Sequence, residues 1–263
     1  MRGFFMIFSV QTMGASAVIL LAAGRGSRFG GPKQLAPVDA QGSCLAEITL
    51  KDAADAGFAG AVLVVRREHL ETWKKKQWPI PVAFAVQAEP HGTAEALRLG
   101  MELAAQLNYT SWAVANADDY YGPIWPFAID CAQRGEHAAL AFPLDRVTSP
   151  HGPVNRAILE TDPSGGLTHL SEREGLYPDD AQLLGNPSVS MNAWVFAASA
   201  REWWPDSPCG DGEFGIPSGI LTGLECGVRI AVHRVGERWL GLTYAADLVG
   251  VQSYFKQLKL KTS

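Results

Sequence analysis

The stretch from Ala17 to Lys33, AVILLAAGRGSRFGGPK, constrains this chain more than any other. Its apolar run Val18-Ile19-Leu20-Leu21 reads as a buried strand. The strand opens into a loop carrying Gly24, Gly26, Gly30 and Gly31, with Arg25 and Arg28 inside it and Lys33 just beyond. Glycines let backbone N–H groups approach an anion closely and take positive φ where needed, so such a loop is a place to put phosphates. Arginines add planar, permanently charged forks that match phosphate oxygens. A turn that merely joined a strand to a helix would rarely gather such cations among such glycines.

Two familiar phosphate loops do not fit. No Gly-Lys-Ser/Thr occurs, so the Walker pattern fails. From Gly24 the glycine spacing is G-x-G-x-x-x-G, so the dinucleotide fingerprint G-x-G-x-x-G fails too. Leu21-Ala22-Ala23-Gly24-Arg25-Gly26-Ser27-Arg28, followed by Pro32-Lys33, resembles instead the signature of nucleotidyltransferases that build activated sugars and alcohols. In that family a first strand reads L-A-A-G-x-G-[ST]-R, and P-K follows after a variable gap. The resemblance, which extends over nearly the whole chain after its first fifteen residues, is to the sugar-phosphate branch, of glucose-1-phosphate uridylyl- or thymidylyltransferase type. It implies a Rossmann-like α/β fold: a mixed, mostly parallel sheet with helices on both faces, of the nucleotide-diphospho-sugar transferase type.

The strand–helix order of the first half argues for the same architecture. Val18–Leu21, Ala61–Val65, Val82–Val86 and Ser111–Ala115 read as strands. Ser43–Ala56, stopped by Gly57, and a segment from Thr93 as N-cap to about Leu107 read as helices, with a polar amphipathic stretch at Glu68–Gln77. Beyond about residue 145 the texture changes. Val154–Glu160 and Leu167–Ser171 flank a turn-rich Asp162–Gly166 and read as a β-hairpin. Ser188–Phe196 and Arg229–Val235 read as strands, and Ala200–Trp204, Glu213–Gly227 and Ala246–Leu258 as helices. We expect one domain over 17–263, with 17–145 as its nucleotide-binding half and 146–263 as its acceptor-binding half.

Composition narrows the function classes. A hydrophobic content of 47% over 263 residues supports a large core. A net charge of −5, with no basic block beyond Lys74-Lys75-Lys76, argues against a nucleic-acid partner. Cys44, Cys131, Cys209 and Cys226 show no C-x-x-C pairing and read as reduced thiols of a cytoplasmic protein. Residues 1–16 have one Arg, a short apolar run and end near an A-S-A triplet, so they superficially resemble a signal peptide. We read them as a non-essential extension, with Met13 as an alternative start. No run reaches the roughly 18 apolar residues that span a bilayer, so no membrane partner is expected. A homo-oligomer is left open.

Further motifs follow the first. Gln87-Ala88-Glu89-Pro90-His91-Gly92-Thr93-Ala94 closes a strand and opens a helix. Relatives have Q-x-x-x-x-G-T-A here, which implies that Gln87, Gly92 and Thr93 join Leu21, Ala23, Gly24, Arg25, Gly26 and Ser27 in binding the nucleotide. A side-chain amide has both a donor and an acceptor for a base edge. In Asn116-Ala117-Asp118-Asp119-Tyr120-Tyr121-Gly122 a strand ends in two carboxylates, hard oxygen ligands that suit Mg²⁺. The resemblance assigns the metal to Asp118, with Ala117 in the usual Gly position, and leaves Asp119 behind it or facing the acceptor. Glu172, Arg173 and Asn192 are implied acceptor contacts, each weighed against plain surface charge or strand polarity. Many relatives read W-x-D where this chain has Trp239-Leu240-Gly241, so the usual second metal ligand is missing. Asp247 either replaces it or caps the terminal helix, the latter being slightly favoured.

The implied reaction joins a nucleoside triphosphate to a sugar 1-phosphate, with Arg28, Lys33 and Asp118 as catalytic residues and Mg²⁺ as cofactor. Two rivals keep the same loop. One is cytidylyl or guanylyl transfer to a non-sugar phosphate acceptor, since Pro32-Lys33-Gln34 also occurs in such enzymes. The other is a catalytically silent nucleotide-sugar sensor, which Gly241 would suit.

Overall fold

The computed structural model describes residues 14–24, 26, 29–89, 91–207, 214–235 and 238–262. Its strands are β1 (Ser16–Ala22), β2 (Gly60–Arg66), β3 (Val82–Gln87), β4 (Ser111–Asn116), β5 (Asp119–Tyr120), β6 (Ala138–Pro143), β7 (Val154–Thr161), β8 (Leu167–Leu176), β9 (Ser188–Ser190), β10 (Trp194–Ala197), β11 (Ala231–Arg234) and β12 (Leu240–Gly241). Its α-helices are α1 (Leu45–Ala56), α2 (Leu70–Lys74), α3 (Thr93–Gln106), α4 (Trp125–Gln133), α5 (Asp180–Leu183), α6 (Ala200–Trp203), α7 (Ile216–Glu225) and α8 (Asp247–Thr262).

The main sheet runs β3-β2-β1-β4-β10-β6-β9-β7-β8, with β11 alongside β6, and β5 and β12 form a separate two-stranded ribbon. β3, β2, β1 and β4 are mutually parallel, and β10 enters antiparallel between β4 and β6. The sheet is mixed, as expected, and because β10 threads between two earlier strands it is shared by both halves of the chain.

The core shows why β1 reads as continuously apolar. Val18 and Leu20 pack toward α1 and α4, among Leu50, Ala53, Trp125 and Ile129. Ile19 and Leu21 point the other way, toward Leu97 and Met101 of α3 and Ile216 and Ile220 of α7. A strand covered on both faces has no solvent side on which to place polar residues. On α3 the buried Ala94, Leu97, Met101 and Ala104 fall at helical spacing and form one stripe. Gly100 lies in that stripe because a Cβ there would stand 2.5 Å from Ile19 Cγ2.

Several expectations shift. β1 begins at Ser16, inside the expected extension, because the Ser16 and Ser111 hydroxyls bond each other at 2.8 Å across the β1–β4 ladder. Residues 1–13 of that extension lie outside the described residues. Thr93 is not the N-cap of α3 but its first residue; the cap is Gly92, at φ +120°. A side chain on Gly92 would place its Cβ 2.2 Å from the Phe214 carbonyl oxygen. That carbonyl instead accepts from Ala94 N–H at 2.9 Å, so a distant loop satisfies the helix end. The expected strand Ser188–Phe196 is two strands, β9 and β10, separated by Asn192 in the left-handed region at φ +58°. β8 extends to Leu176, so Glu172 and Arg173 lie within it and not after the hairpin. α4 and β6 were not expected from the sequence.

Candidate active site

The parallel strands β1 and β4 end side by side, and the first and third motifs meet there. Beyond β1 the glycine loop folds on itself: Gly26 O accepts from Phe29 N–H and Gly30 N–H, at 3.0 and 3.1 Å. Gly26 sits at φ +63°, and a Cβ there would lie 2.3 Å from the Gly31 carbonyl oxygen, so no other residue closes this turn without strain. Buried Gln34 donates from Nε2 to Gly24 O at 3.0 Å and ties the loop to the short 3₁₀ turn Lys33–Leu35. Arg25, Ser27 and Arg28 lie outside the described residues. Leu21 and Ala23 are buried in the strand end.

Lys33 Nζ forms an ion pair with Asp118 Oδ2, joining the first motif to the third. Asp118 is held from behind, since its carbonyl accepts from Leu242 N–H at 3.1 Å. Asp119 faces inward and is buried. Its Oδ2 accepts from Asn116 Nδ2 at 2.9 Å and lies 3.3 Å from the Tyr121 hydroxyl. That hydroxyl also accepts from Asn116 N–H at 2.8 Å and reaches Met191 O at 2.9 Å. Asn192 Nδ2 donates to Asn116 Oδ1 at 3.3 Å, and so the second half of the chain enters the network. Burial, then the neighbouring charge of Asp118, pushes the Asp119 carboxyl well above its ordinary range, and burial likewise raises the Tyr121 phenol.

The structure therefore brings Lys33, Asp118, Asp119 and Asn192 to one edge. Asn116, Tyr121 and Gln34 belong with them, although the sequence suggested no role for these three. Their signal was available: a Tyr and an Asn beside two carboxylates at a strand end are polar groups that burial obliges to pair.

Other expected residues are placed differently. Gln87 is buried at the end of β3, and both amide hydrogens are engaged, on Gly92 O at 3.0 Å and Glu95 Oε2 at 2.7 Å. Only its carbonyl oxygen remains to face a base. Burial alone would raise the Glu95 carboxyl, but the hydrogen bonds from Gln87 and His91 outweigh it and hold it below its ordinary value. Thr93 Oγ1 accepts from Ile216 N–H at 3.0 Å. Glu172 and Arg173 are exposed on β8, opposite Ala157 and Arg156. No hydrogen bond or ion pair joins either to the Lys33–Asp118 edge among the described residues.

Asp247 does not cap the terminal helix but begins it. Its Oδ2 accepts from the N–H groups of Thr243 and Tyr244, four and three residues upstream, at 2.9 and 2.7 Å, and so fixes the turn that enters α8. Its Oδ1 lies 3.9 Å from His151 Nε2. The weaker expectation, a second metal contact from Asp247, finds no partner at the Asp118 edge among the described residues. Gly241, in the slot where relatives have Asp, is opposite Asp119 in the β5–β12 ribbon. A Cβ there would stand 2.2 Å from the Trp239 ring and 2.6 Å from Asp119 Oδ1. The Asp119 carboxylate thus occupies the space that a side chain at 241 would need. Elsewhere, Cys131, Glu136 and His233 stand close enough to share an ion. Arg134 already supplies positive charge there, donating to Cys131 Sγ at 3.3 Å and Glu136 Oε2 at 2.8 Å.

Residues 18–148 match the MobA-like NTP transferase domain family. Over 246 aligned residues the chain is 24% identical to the bifunctional protein GlmU of Burkholderia multivorans and to that of Burkholderia orbicola. The alignment covers 89% of this chain and 51% of each relative, so the chain spans about half their length. A Bacillus anthracis crystal structure, assigned as a glucose-1-phosphate thymidylyltransferase and holding a sucrose, superposes with a TM-score of 0.71 at 15% identity. That match covers 91% of this chain and 95% of the other, and it establishes the fold. No described helix is long and apolar enough to cross a membrane.

Proposed function

Since the chain belongs to the sugar-phosphate nucleotidyltransferases, with a MobA-like NTP transferase domain in its first half, we propose that it joins an NTP to a sugar 1-phosphate and releases pyrophosphate. The observation that carries this reading is the Lys33–Asp118 pair at the mouth of the glycine loop. A cation and a carboxylate from separate motifs meet where a triphosphate on the loop would lie.

The acceptor phosphate is already ionised, so the reaction needs no enzyme nucleophile. One of its oxygens attacks the α-phosphorus in line, a new P–O bond forms, and the bond to the β-phosphate oxygen breaks with pyrophosphate leaving. The protein's part is positioning and charge neutralisation. Backbone N–H groups of the Gly24–Ser27 loop and Arg28 hold the β- and γ-phosphates, with Arg25 assisting. Lys33 turns from Asp118 to the α-phosphate and the incoming phosphate. The Gln87 carbonyl oxygen accepts from a base N–H beside Gly92 and Thr93, with Leu21 and Ala23 beneath. Asn192, on the rigid Asn116–Tyr121 network, orients acceptor hydroxyls, with Glu172 and Arg173 as outer contacts. Residues 17–145 supply the nucleotide side of this site and 146–263 the acceptor side.

The donor set suits Mg²⁺. Asp118 carries hard oxygens, and Asp119 Oδ1 lies beside Gly241, 2.6 Å from where a Cβ would stand. Asp118 would hold the ion with Asp119 behind it. When bound, Mg²⁺ supplies positive charge to the phosphate oxygens. The free thiols Cys44, Cys131 and Cys226 suit a cytoplasmic setting, where nucleotides and sugar phosphates are found.

Pyrophosphate release tests the reading, over all NTPs crossed with glucose 1-phosphate, other sugar 1-phosphates and polyol phosphates. Release for one pair, abolished by Asp118→Ala, is the expected outcome and names both substrates. Release only with a non-sugar acceptor would favour the cytidylyl or guanylyl alternative, with which the Pro32-Lys33-Gln34 triplet is also compatible. Silence throughout, with an NDP-sugar still raising Tm, would identify a sensor.

A further inference from the structure

Three ligating side chains take no part in the proposed reaction. Cys131, Glu136 and His233 each offer one ligand atom, and these atoms all lie within 4.8 Å of one another. They come from the last turn of α4, the loop after it, and β11.

Local structure explains the meeting. α4 ends at the left-handed Gly135, at φ +66°. Gly135 N–H bonds to Ala132 O and Glu136 N–H to Cys131 O, both at 3.1 Å, the paired bonds of a Schellman turn. That turn folds Glu136 back over Cys131. β11 runs parallel to β6 with His233 opposite Leu140, and Ala231 N–H on His137 O, at 2.9 Å, ties its start to the same connection. Phe127 of α4 meets the His233 ring in a T-shaped contact, centroids 4.9 Å apart. His233 Nε2 then stands 3.0 Å from Glu136 Oε1. Cys131 is fully buried, whereas the Glu136 and His233 side chains keep 25% and 30% of their exposure. The trio therefore has a dry sulfur at its base and a wet side from which a water can complete four-coordination.

The cluster already attracts a cation. Arg134 Nη2 donates to Cys131 Sγ at 3.3 Å and to Glu136 Oε2 at 2.8 Å, so sulfur and carboxylate face one point. The guanidinium can yield that point and keep a carboxylate partner, because its Nη1 is paired with Asp130. A thiolate, an imidazole and a carboxylate together select a borderline metal such as Zn²⁺, whereas Mg²⁺ and Ca²⁺ take oxygen ligands. Tetrahedral Zn²⁺ holds such atoms roughly 3.4–3.6 Å apart, a spacing that small rotations of these side chains reach. We propose that Cys131, Glu136 and His233 form a zinc site, with water as fourth ligand, that fastens the end of α4 to β11. The thiol binds as thiolate, its proton passing to solvent, and Arg134 turns to Asp130. The competing account, a core cysteine beside a surface network of Arg134, Glu136 and His233, has no stoichiometric metal.

Co²⁺ titration of the full 263-residue chain, kept reduced by a non-thiol reductant, tests this. Cobalt occupies zinc sites, and a thiolate-to-cobalt charge-transfer band reports a metal–sulfur bond. Wild type should bind one equivalent with that band, and Zn²⁺ should bleach the band and raise Tm. Cys131→Ala should abolish the band. His233→Gln and Glu136→Gln, at half-exposed positions that the fold tolerates, should each weaken binding at least about tenfold, the loss typical of even an outer-shell partner. Arg134→Gln should bind at least as tightly as wild type, since it removes the competing cation. The band should persist in Cys209→Ser/Cys226→Ser and in Asp118→Ala, which separates this site from the Mg²⁺ edge and from the proposed reaction. No band in wild type, a band that survives Cys131→Ala or disappears with Cys209→Ser/Cys226→Ser, wild-type affinity in His233→Gln, or weaker binding by Arg134→Gln would overturn the proposal.

Discussion

The two parts of the main sheet handle polar groups in opposite ways. Around β1–β4, the strand interiors are apolar and polar residues stand at their ends, with Lys33 and Asp118 just beyond. From β6 onward the strands vary in length and are mixed in direction, and a left-handed Asn192 reaches from between β9 and β10 to Asn116. The first part gathers charge at its strand ends. The second adds Asn192 and the Met191 carbonyl to the buried Asn116–Asp119–Tyr121 network that holds the inner carboxylate. Function and rigidity are thus divided between them, and substitutions should separate rate from stability accordingly.

The largest effect is expected at the ligand edge. Asp118→Ala and Lys33→Ala should each lower kcat/KM by about 10³, on the order of 4 kcal/mol of transition-state stabilisation, with little change in Tm. Arg28→Ala belongs to the same class. Steady-state kinetics beside thermal melts decide it; a variant with normal turnover would break the assignment of charge to this edge.

The complementary test lies in the network. Tyr121→Phe removes a hydroxyl that serves Asn116 N–H, Asp119 and Met191 O, leaving buried groups unpaired. Urea denaturation should show a loss of about 1–3 kcal/mol. If stability were unchanged while activity collapsed, the contrast between the two parts would be drawn in the wrong place.

A pair of glycines sharpens the packing side. Gly100→Ala should destabilise by about 1–3 kcal/mol, against its gain in helix propensity, because the new methyl meets Ile19 at 2.5 Å. Gly250→Ala, in α8 with nothing within 4 Å, should stabilise by about 0.5–1 kcal/mol. Denaturation midpoints that move the same way for both would refute the close α3–β1 contact.

A further effect, comparable to that at Gly250, depends on pH. Burial lifts the Asp52 carboxyl to about 6, with Asp55 adding to it and Lys51 opposing. A carboxyl whose folded pKa is raised favours the folded state while protonated, and that contribution is lost as pH climbs from about 4 through 6. Asp52→Asn should therefore be more stable than wild type at pH 8, on the order of 1 kcal/mol after screening by solvent. The difference should shrink below pH 4. A pH-independent difference in urea midpoints would contradict it.

Much was legible from local pattern. Doubly buried strands leave a continuous apolar signature, so β1 to β4 could be read directly, and glycines with cations after β1 mark the Gly24–Lys33 loop as the place to seek an anion site. What could not be read concerns partners distant in the chain. Thr93 looks like an N-cap until Phe214 presses on Gly92 and supplies the cap carbonyl itself. Gln87 reads as both donor and acceptor for a base edge, yet Glu95 and Gly92 take both its hydrogens and leave only its carbonyl oxygen for one. The apolar run from Ser188 looks like one strand because nothing in it announces that Asn192 will turn left-handed.

The sequence by itself thus determined the fold class, the glycine-rich cationic loop and the residue types gathered at the strand ends, since these follow from periodicity and side-chain chemistry. Tertiary structure alone decided that Lys33 pairs with Asp118, that Asp119 turns inward against Gly241, and that His233 meets Cys131 and Glu136. Each depends on strand order and on the direction in which a side chain leaves the sheet, quantities set by packing between segments that are far apart in the chain.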